Sequence, residues 1–354
     1  MSDNAEFVLV MAGGGGTRLW PVSRRTRPKQ LLTLGGEQTL LAATVARAAA
    51  LCSIEHTLVV TARDQADAVR EALPNLPAEN VVIEPAARNT AAAVGLGAAV
   101  VHRRAGGDAR FAMLPSDAFI GDIPRFVTTA KLALQHARQA IVTIGITPDR
   151  PETGYGYLEP GVAIPPGANA VAAFVEKPDA KTAERYVAAG YLWNAGMFFM
   201  STDRLLDEAD AHMPELGTAL RRYVATSDLE ADVNATYPAL PSVSLDYGIM
   251  EKTKGIRVIP GNFGWNDVGS WDALPIIRPA DSDGNVRLGE AILSNSHGNI
   301  VVSEPDAPLI ALTGVDDLVV VATRDAILVM RKGHAQNVRD VVDAARKCGR
   351  TDLL

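Results

Sequence analysis

Cysteine is almost absent. Only Cys52 and Cys348 occur, nearly three hundred residues apart, which excludes a disulfide framework and the paired spacing of a zinc site. Such scarcity suits a reducing compartment. Excess positive charge is lacking too: 34 Lys and Arg against 41 Asp and Glu leave a net charge of −7, the wrong sign for a general binder of nucleic acid or anionic membrane. Any anionic ligand must be held locally. The longest wholly apolar run, Ala91–Val101, has eleven residues, two of them glycine, where a membrane span needs roughly 20. The opening MSDNAEF has no basic leader stretch, so the chain is expected to be soluble and cytoplasmic, with no membrane partner.

With 47% hydrophobic and 21% charged residues over 354 positions, the chain reads as a globular protein of two or three domains, not a disordered one. From Phe7 to about Ile146, apolar runs at Phe7–Ala12, Thr57–Thr61, Val81–Glu84, Arg110–Leu114 and Ala140–Ile146 alternate with helical stretches at Thr39–Ala50, Gln65–Leu73, Thr90–Arg104 and Arg125–Ala137. This alternation predicts an open α/β sheet, whose ligands bind beyond the carboxyl ends of the strands. Runs at Val171–Glu176, Asn194–Met200 and Ile256–Pro260, with helices near Ala180–Ala189 and Thr202–Ala209, are expected to extend the same sheet. Beyond about residue 280 the pattern changes to short apolar runs, Ala291–Asn295, Asn299–Ser303, Leu309–Thr313, Leu318–Ala322 and Ala326–Met330, without intervening helices. That spacing fits either a small β-sandwich or a few coils of a β-solenoid.

The first strand leads into Gly13-Gly14-Gly15-Gly16-Thr17-Arg18-Leu19-Trp20-Pro21, continuing to Pro28-Lys29-Gln30. Four successive glycines cost much chain entropy to order, which favours close backbone approach to a ligand over a plain turn. Backbone N–H groups converging after a strand can hold phosphate oxygens. Between Phe7 and Gly36 stand five bases, Arg18, Arg24, Arg25, Arg27 and Lys29, and no acid, so a local anion site is expected here. A P-loop would need Lys-Ser/Thr after its last glycine, and a dinucleotide fingerprint would need glycine where Arg18 stands. Neither is present.

Other strand ends add polar groups. Glu84-Pro85-Ala86-Ala87-Arg88-Asn89-Thr90 follows the third run, with Thr90 readable as a helix cap and Arg88 as a surface cation; Pro115-Ser116-Asp117 follows the fourth. A carboxylate at Asp117 would repel phosphates on the glycine loop unless a divalent cation lay between them. Mg²⁺ takes one or two carboxylates plus phosphates and water, and Asp267, within Gly264-Trp265-Asn266-Asp267-Val268-Gly269-Ser270-Trp271, is the best second acid. Glu176 and Lys177 could form an exposed ion pair of little worth, or hold a sugar phosphate together with Asn194, beside the close-approach backbone of Gly154-Tyr155-Gly156-Tyr157.

Taken in order, GGGGTRLWP with PKQ, EPAARNTA, LPSD, GYGY, FVEKP, NAGMF, DYGIMEK and GWNDVGSW resemble the sugar-nucleotide pyrophosphorylases, above all the branch that joins mannose 1-phosphate to GTP. The resemblance covers about residues 6 to 280, and the later β-rich stretch is similar to that family's short left-handed β-helix. It implies a Rossmann-like open mixed sheet forming a nucleotidyltransferase domain over 1–280, and a small C-terminal left-handed β-helix domain with a terminal helix over 281–354. Nothing like the cupin-type isomerase domain of longer members is read here. The implied reaction gives GDP-mannose and pyrophosphate with Mg²⁺, and the implied assembly is a homodimer.

By the same resemblance, Arg18 and Lys29 bind the GTP phosphates, the amides of Gly14 to Thr17 cradle them, Asp117 and Asp267 carry the Mg²⁺, and Lys177 holds the sugar phosphate. Glu84, Arg88, Asn89 and Thr90 are the candidates for the guanine, and Gly154, Glu176 and Asn194 for mannose hydroxyls, with Gly13, Ser116 and Tyr155 completing the substrate-binding set. Many relatives have His after the strand-end Asp, where this chain has Ala118. The attacking group is an ionised phosphate oxygen, so no nucleophilic side chain or general base is needed. A different sugar 1-phosphate, such as a manno-heptose, and a non-catalytic GDP-mannose-binding regulatory subunit are the alternatives. The presence of Arg18, Lys29, Asp117 and Asp267 argues against the second, and the failed fingerprint argues against a dehydrogenase.

Overall fold

Strands that are apolar on both faces have no solvent side, so they belong in the middle of a sheet covered by helices. In the computed structural model, which describes residues 5–14 and 16–354, the first runs behave in this way. Two compact units result: Met1–Gly13, Thr44–Ser116 and Asp122–Trp265 form the first, and Gly14–Ala43, Asp117–Gly121 and Asn266–Leu354 the second.

The first unit contains β1 (Glu6–Ala12), β2 (Thr57–Ala62), β3 (Val81–Glu84), β4 (Arg110–Pro115), β5 (Val142–Ile146), β6 (Gly156–Ile164), β7 (Ala168–Glu176), β8 (Leu192–Ser201) and β9 (Arg257–Gly261). Among the described residues they form one nine-stranded sheet in the order β3-β2-β1-β4-β8-β5-β9-β7-β6. Strands β1 to β4 pair in parallel, β8 runs antiparallel to both β4 and β5, and β6 and β7 make an antiparallel pair at the far edge. The mixed sheet is therefore observed. Because β1 has β2 on one side and β4 on the other, with Met11 opposite Pro115, the chain changes its direction of travel at the carboxyl ends of β1 and β4. That is where open α/β sheets place their ligands.

The apolar run Ala91–Val101 lies inside the helix Asn89–Ala105 and is buried except at Val100, which is half-buried. Its small residues permit this: a Cβ on Gly97 would press on Val60 and Leu9 of the sheet at 3.0 and 3.1 Å, and one on Gly95 on Leu220 of the helix Pro214–Ala225 at 2.9 Å. Strand β6 and the helices Pro214–Ala225 and Leu229–Thr236 were not among the elements read from the sequence. In β6, Pro160 and Gly161 resemble a turn, and the ladder absorbs them as irregularities beside Pro160.

The second unit carries β10 (Val286–Leu288), β11 (Ala291–Ser294), β12 (Ile300–Ser303), β13 (Ile310–Thr313), β14 (Leu318–Ala322) and β15 (Ile327–Arg331). Val286 pairs with Ile300, Ile300 with Val319, and Ala291 with Ile310, all in parallel, while β15 closes the stack antiparallel to β14. Parallel neighbours reached without a helix are coils of a solenoid, which decides against a sandwich. At one corner buried Asn285 and Asn299 stack, with the Asn299 amide donating to the Asn285 side-chain oxygen at 3.1 Å. The core of this unit joins Leu19, Trp20, Leu32, Leu34, Trp271 and Leu274 to Val286, Ile300, Val319, Val321, Leu328 and Val338. Residues 14–43, 117–121 and 266–280 therefore belong to the same compact body as the solenoid, where the sequence reading draws a single cut at 280.

Candidate active site

Gly16 adopts φ 58°, the left-handed conformation that starts the tight turn Thr17–Leu19, and the Gly16 carbonyl accepts the Leu19 N–H at 2.9 Å. A Cβ at this position would collide with the Cβ of Lys29, so a glycine is required by a contact inside the protein. Gly14, at φ 114°, has nothing within 4 Å of the corresponding point. Gly13 belongs to the first unit, where its Cβ position lies 3.9 Å from Glu84 Oε1, and Gly15 lies outside the described residues.

Lys29 is only 7% exposed, yet its ammonium has two partners: it donates to Asp117 Oδ2 at 2.8 Å and to the backbone carbonyl of Asp267. The Asp267 carboxylate accepts the Gly269 N–H at 3.2 Å. Gly269 leaves room for two charged groups at once, since its missing Cβ would lie 2.7 Å from Asp267 Oδ2 and 3.2 Å from Arg18 Nη2. Arg18, Lys29, Asp117 and Asp267, drawn from three separate stretches of sequence, thus gather in one place in the second unit. Buried Val268, next to Asp267, sits at φ 46°. A β-branched residue pays on the order of 1–3 kcal/mol for such a conformation, and strain of this kind clusters at functional sites.

The charge argument for an anion site needs correction. Arg24 is paired with Asp325 at 2.8 Å and Arg27 with Glu304 at 2.7 Å, both acids of the solenoid. These two bases fasten the turn after the glycine loop. Their partners lie 301 and 277 residues away, so the acid-free stretch looked more positive than the folded site is.

In the first unit, several candidates are already engaged with other protein groups. The Ser116 hydroxyl donates to the Met11 carbonyl at 2.7 Å and ties β4 to β1. Buried Glu84 accepts from the Tyr237 hydroxyl; burial pushes its carboxyl up, and that hydrogen bond opposes the rise. Arg88 donates to the Pro238 carbonyl, the Thr90 hydroxyl accepts the Leu245 N–H at 2.9 Å, and Asn89, at φ 63°, accepts the Thr90 N–H at 2.8 Å. Thr90 is thus a cap for the Leu245 segment, not for its own helix.

A third group of residues surrounds Lys177. Its ammonium donates to Glu176 Oε1 at 2.5 Å; burial lowers its affinity for the proton, but Glu176 more than compensates and holds it above the ordinary lysine range. The Asn194 side chain accepts from the Thr143 hydroxyl at 2.9 Å and donates to Asp246 Oδ1 at 3.1 Å. A Cβ on Gly156 would overlap Glu176, and the Gly154 N–H donates to Glu152 at 3.0 Å, which shapes this loop. Tyr155 meets Trp193 and Trp265 edge-on at 5.1 and 5.3 Å. The sequence reading missed Asp246. Its only signal was membership of DYGIMEK, and nothing in the spacing shows that this segment folds onto Asn194.

Chemically, the second unit offers an ammonium, a guanidinium and two carboxylates within one small volume. Hard oxygen donors of this type suit Mg²⁺ and not a soft metal. Among the described residues no three His, Cys, Asp or Glu side chains gather as a ready metal cage. The first unit offers an ammonium with a carboxylate and an amide close by, suited to a phosphorylated polyol.

The nucleotidyl transferase family matches residues 7–283, and the family described as MannoseP isomerase/GMP-like beta-helix domain matches residues 289–344. A mannose-1-phosphate guanylyltransferase of Klebsiella pneumoniae is 38% identical over 355 residues, covering 97% of this chain and 74% of the relative. The alginate biosynthesis protein AlgA of Pseudomonas aeruginosa is 37% identical over 360 residues, covering 97% and 73%. A crystal structure from Thermus thermophilus, named as a mannose-1-phosphate geranyltransferase, aligns with a TM-score of 0.88 at 37% identity over 96% of this chain and 99% of that one.

Proposed function

This chain belongs to the nucleotidyl transferase family, and from that premise we propose that it transfers GMP from GTP to mannose 1-phosphate, forming GDP-mannose and pyrophosphate. Two polyanions must meet. Unit charges about 4 Å apart repel by about 1 kcal/mol in water and about 4 kcal/mol at an effective dielectric near 20. Arg18 and Lys29 offset that repulsion at the triphosphate and stabilise the departing pyrophosphate, with the amides of Gly14 to Thr17 alongside. Lys177 holds the sugar phosphate, and Glu176, Asn194 and the backbone of Gly154 receive the sugar hydroxyls. Catalysis is then positioning and charge neutralisation around an in-line displacement at the α-phosphorus.

Members of this family generally use a divalent metal. Asp117 and Asp267 would hold Mg²⁺ here, and the ion would supply charge neutralisation on the phosphates. The Lys29 ammonium, which joins the Asp117 carboxylate to the backbone of Asp267, is the observation that best supports this reading. No described helix is long and apolar enough to cross a membrane. A cytoplasmic homodimer with a functional division near residue 280 is part of the proposal.

The test is pyrophosphate release by purified protein with GTP and Mg²⁺ against a panel of sugar 1-phosphates. Mannose 1-phosphate should be the best acceptor; if it is inert while another sugar reacts, the substrate is wrong and the reaction class stands. Asp267→Asn should lower kcat by about 10²-fold or more, the scale of losing one electrostatic catalytic group, with little change in Tm. Near-normal turnover would remove Asp267 from the cation site.

A further inference from the structure

The Arg18 side chain meets a residue far outside the glycine loop, within the second unit. Its Nη1 donates to the Gln336 side-chain oxygen at 3.5 Å. Gln336 stands in the turn Ala335–Asn337, and Asp272 fastens that turn: the Gly333 N–H donates to Oδ1 at 2.9 Å and the Ala335 N–H to Oδ2 at 3.3 Å. Asp272 follows closely after Asp267 in the chain, so one segment carries both the proposed cation ligand and the support for Gln336. The backbone next to Arg18 is fixed as well. Trp20 Nε1 donates to the Leu353 carbonyl at 2.8 Å, and buried Trp271 donates through Nε1 to the Trp20 carbonyl at 3.0 Å.

We infer that Gln336, presented by Asp272, is a positioning residue that sets the orientation of Arg18 and so the affinity for the nucleotide's phosphates. This rests on the reading above in which Arg18 binds those phosphates. The chemistry of the partners supports it. Arg24 and Arg27, which fasten the loop, are ion-paired with carboxylates, whereas the hydrogen bond of Arg18 runs to a neutral amide, and the Asp267 carboxylate is its neighbour across Gly269 and not its ion-pair partner. A carboxylate would hold the guanidinium but also cancel the charge that an incoming phosphate needs. An amide orders it and leaves its charge available. An arginine ordered beforehand loses less rotamer freedom on binding, which strengthens the complex.

The experiment uses the full chain with Gln336→Ala, Gln336→Glu, Asp272→Ala and Asp272→Asn. Steady-state kinetics are read for both substrates, and inorganic pyrophosphate is titrated calorimetrically without sugar. A single modest hydrogen bond predicts that Gln336→Ala raises KM for GTP and Kd for pyrophosphate by roughly 3- to 10-fold, with KM for mannose 1-phosphate changed by less than about twofold. Gln336→Glu should weaken both phosphate ligands further than Gln336→Ala does. Asp272→Ala should reproduce the Gln336→Ala shift, and Asp272→Asn, which keeps one acceptor, should recover part of it.

Unchanged pyrophosphate affinity in both Gln336 variants would overturn the inference. So would equal increases for both substrates accompanied by a lower Tm, which would mark a structural role only. If the wild type binds pyrophosphate and the variants shift as expected but mannose 1-phosphate yields no product, the substrate reading fails and the positioning role stands. Failure of the wild type to bind pyrophosphate would remove both.

Discussion

Burial pushes the Asp246 carboxyl up to about 6; the charge of Glu176 adds to the shift, while Lys177 and Asn194 oppose it. The folded state therefore holds this proton more tightly than the unfolded chain, where an aspartate titrates near 4. Its contribution favours the fold fully below about pH 4, fades as pH rises through 6, and leaves an ionised, half-buried group above that. At two pKa units the cost at pH 8 is roughly 2–3 kcal/mol. Asp246→Asn keeps an acceptor for the Asn194 amide and removes the charge, so it should stabilise the protein by about 1–3 kcal/mol at pH 8 and by much less at pH 4.5 in urea melts. An equal gain at both values would mean that the charge is not the cause. Residues of this kind are hard to find in a sequence. Asp117 and Asp267 were legible as candidates because the phosphate site expected beyond the strand ends creates a need for acids, whereas Asp246, Asp272 and Gln336 answer to partners that only the fold supplies.

At the scale of elements, the turn Thr17–Leu19 depends on Gly16, whose conformation and nearness to Lys29 both exclude a side chain. Gly16→Ala should cost about 1–2 kcal/mol for the left-handed backbone alone, and the overlap must also displace Lys29. Turnover should then fall by more than about tenfold, beyond what the stability loss explains. Gly190→Ala is a matched control: Gly190, at the end of the helix Ala180–Ala188, is also at positive φ, 80°, but its Cβ would meet nothing within 4 Å. It should lose similar stability and retain kcat; comparable loss of kcat in both variants would show that backbone strain, not Lys29, is responsible. The strands β1 to β4 were legible because runs buried on both faces are continuous in sequence. The solenoid was only half legible, since short runs at regular intervals serve a sandwich equally well and only the parallel pairing of Val286 with Ile300 and Ile300 with Val319 decides.

At the scale of the whole molecule, a cut at residue 280 follows the change in sequence texture but divides the core of the second unit. Leu19, Trp20, Leu32, Leu34, Trp271 and Leu274 lie on one side of the cut, and Val286, Ile300, Val319, Val321, Leu328 and Val338 on the other. Full burial of one such side chain contributes about 1.5–3 kcal/mol, so exposing even four or five of them removes roughly the 5–15 kcal/mol that stabilises a typical domain. The same cut deletes Gln336, Asp325, Glu304 and the Leu353 carbonyl, which hold Arg18, Arg24, Arg27 and Trp20. A chain of residues 1–280 should therefore lose the ordered glycine-loop turn even if the large sheet forms, because that sheet has its own core around Leu9, Val60, Phe111 and Phe198. Its tryptophan emission should shift to the red as Trp20 and Trp271 become wet, and pyrophosphate affinity should fall below detection in calorimetry. Blue-shifted emission together with full pyrophosphate affinity in that fragment would show that the glycine loop needs no help from the solenoid.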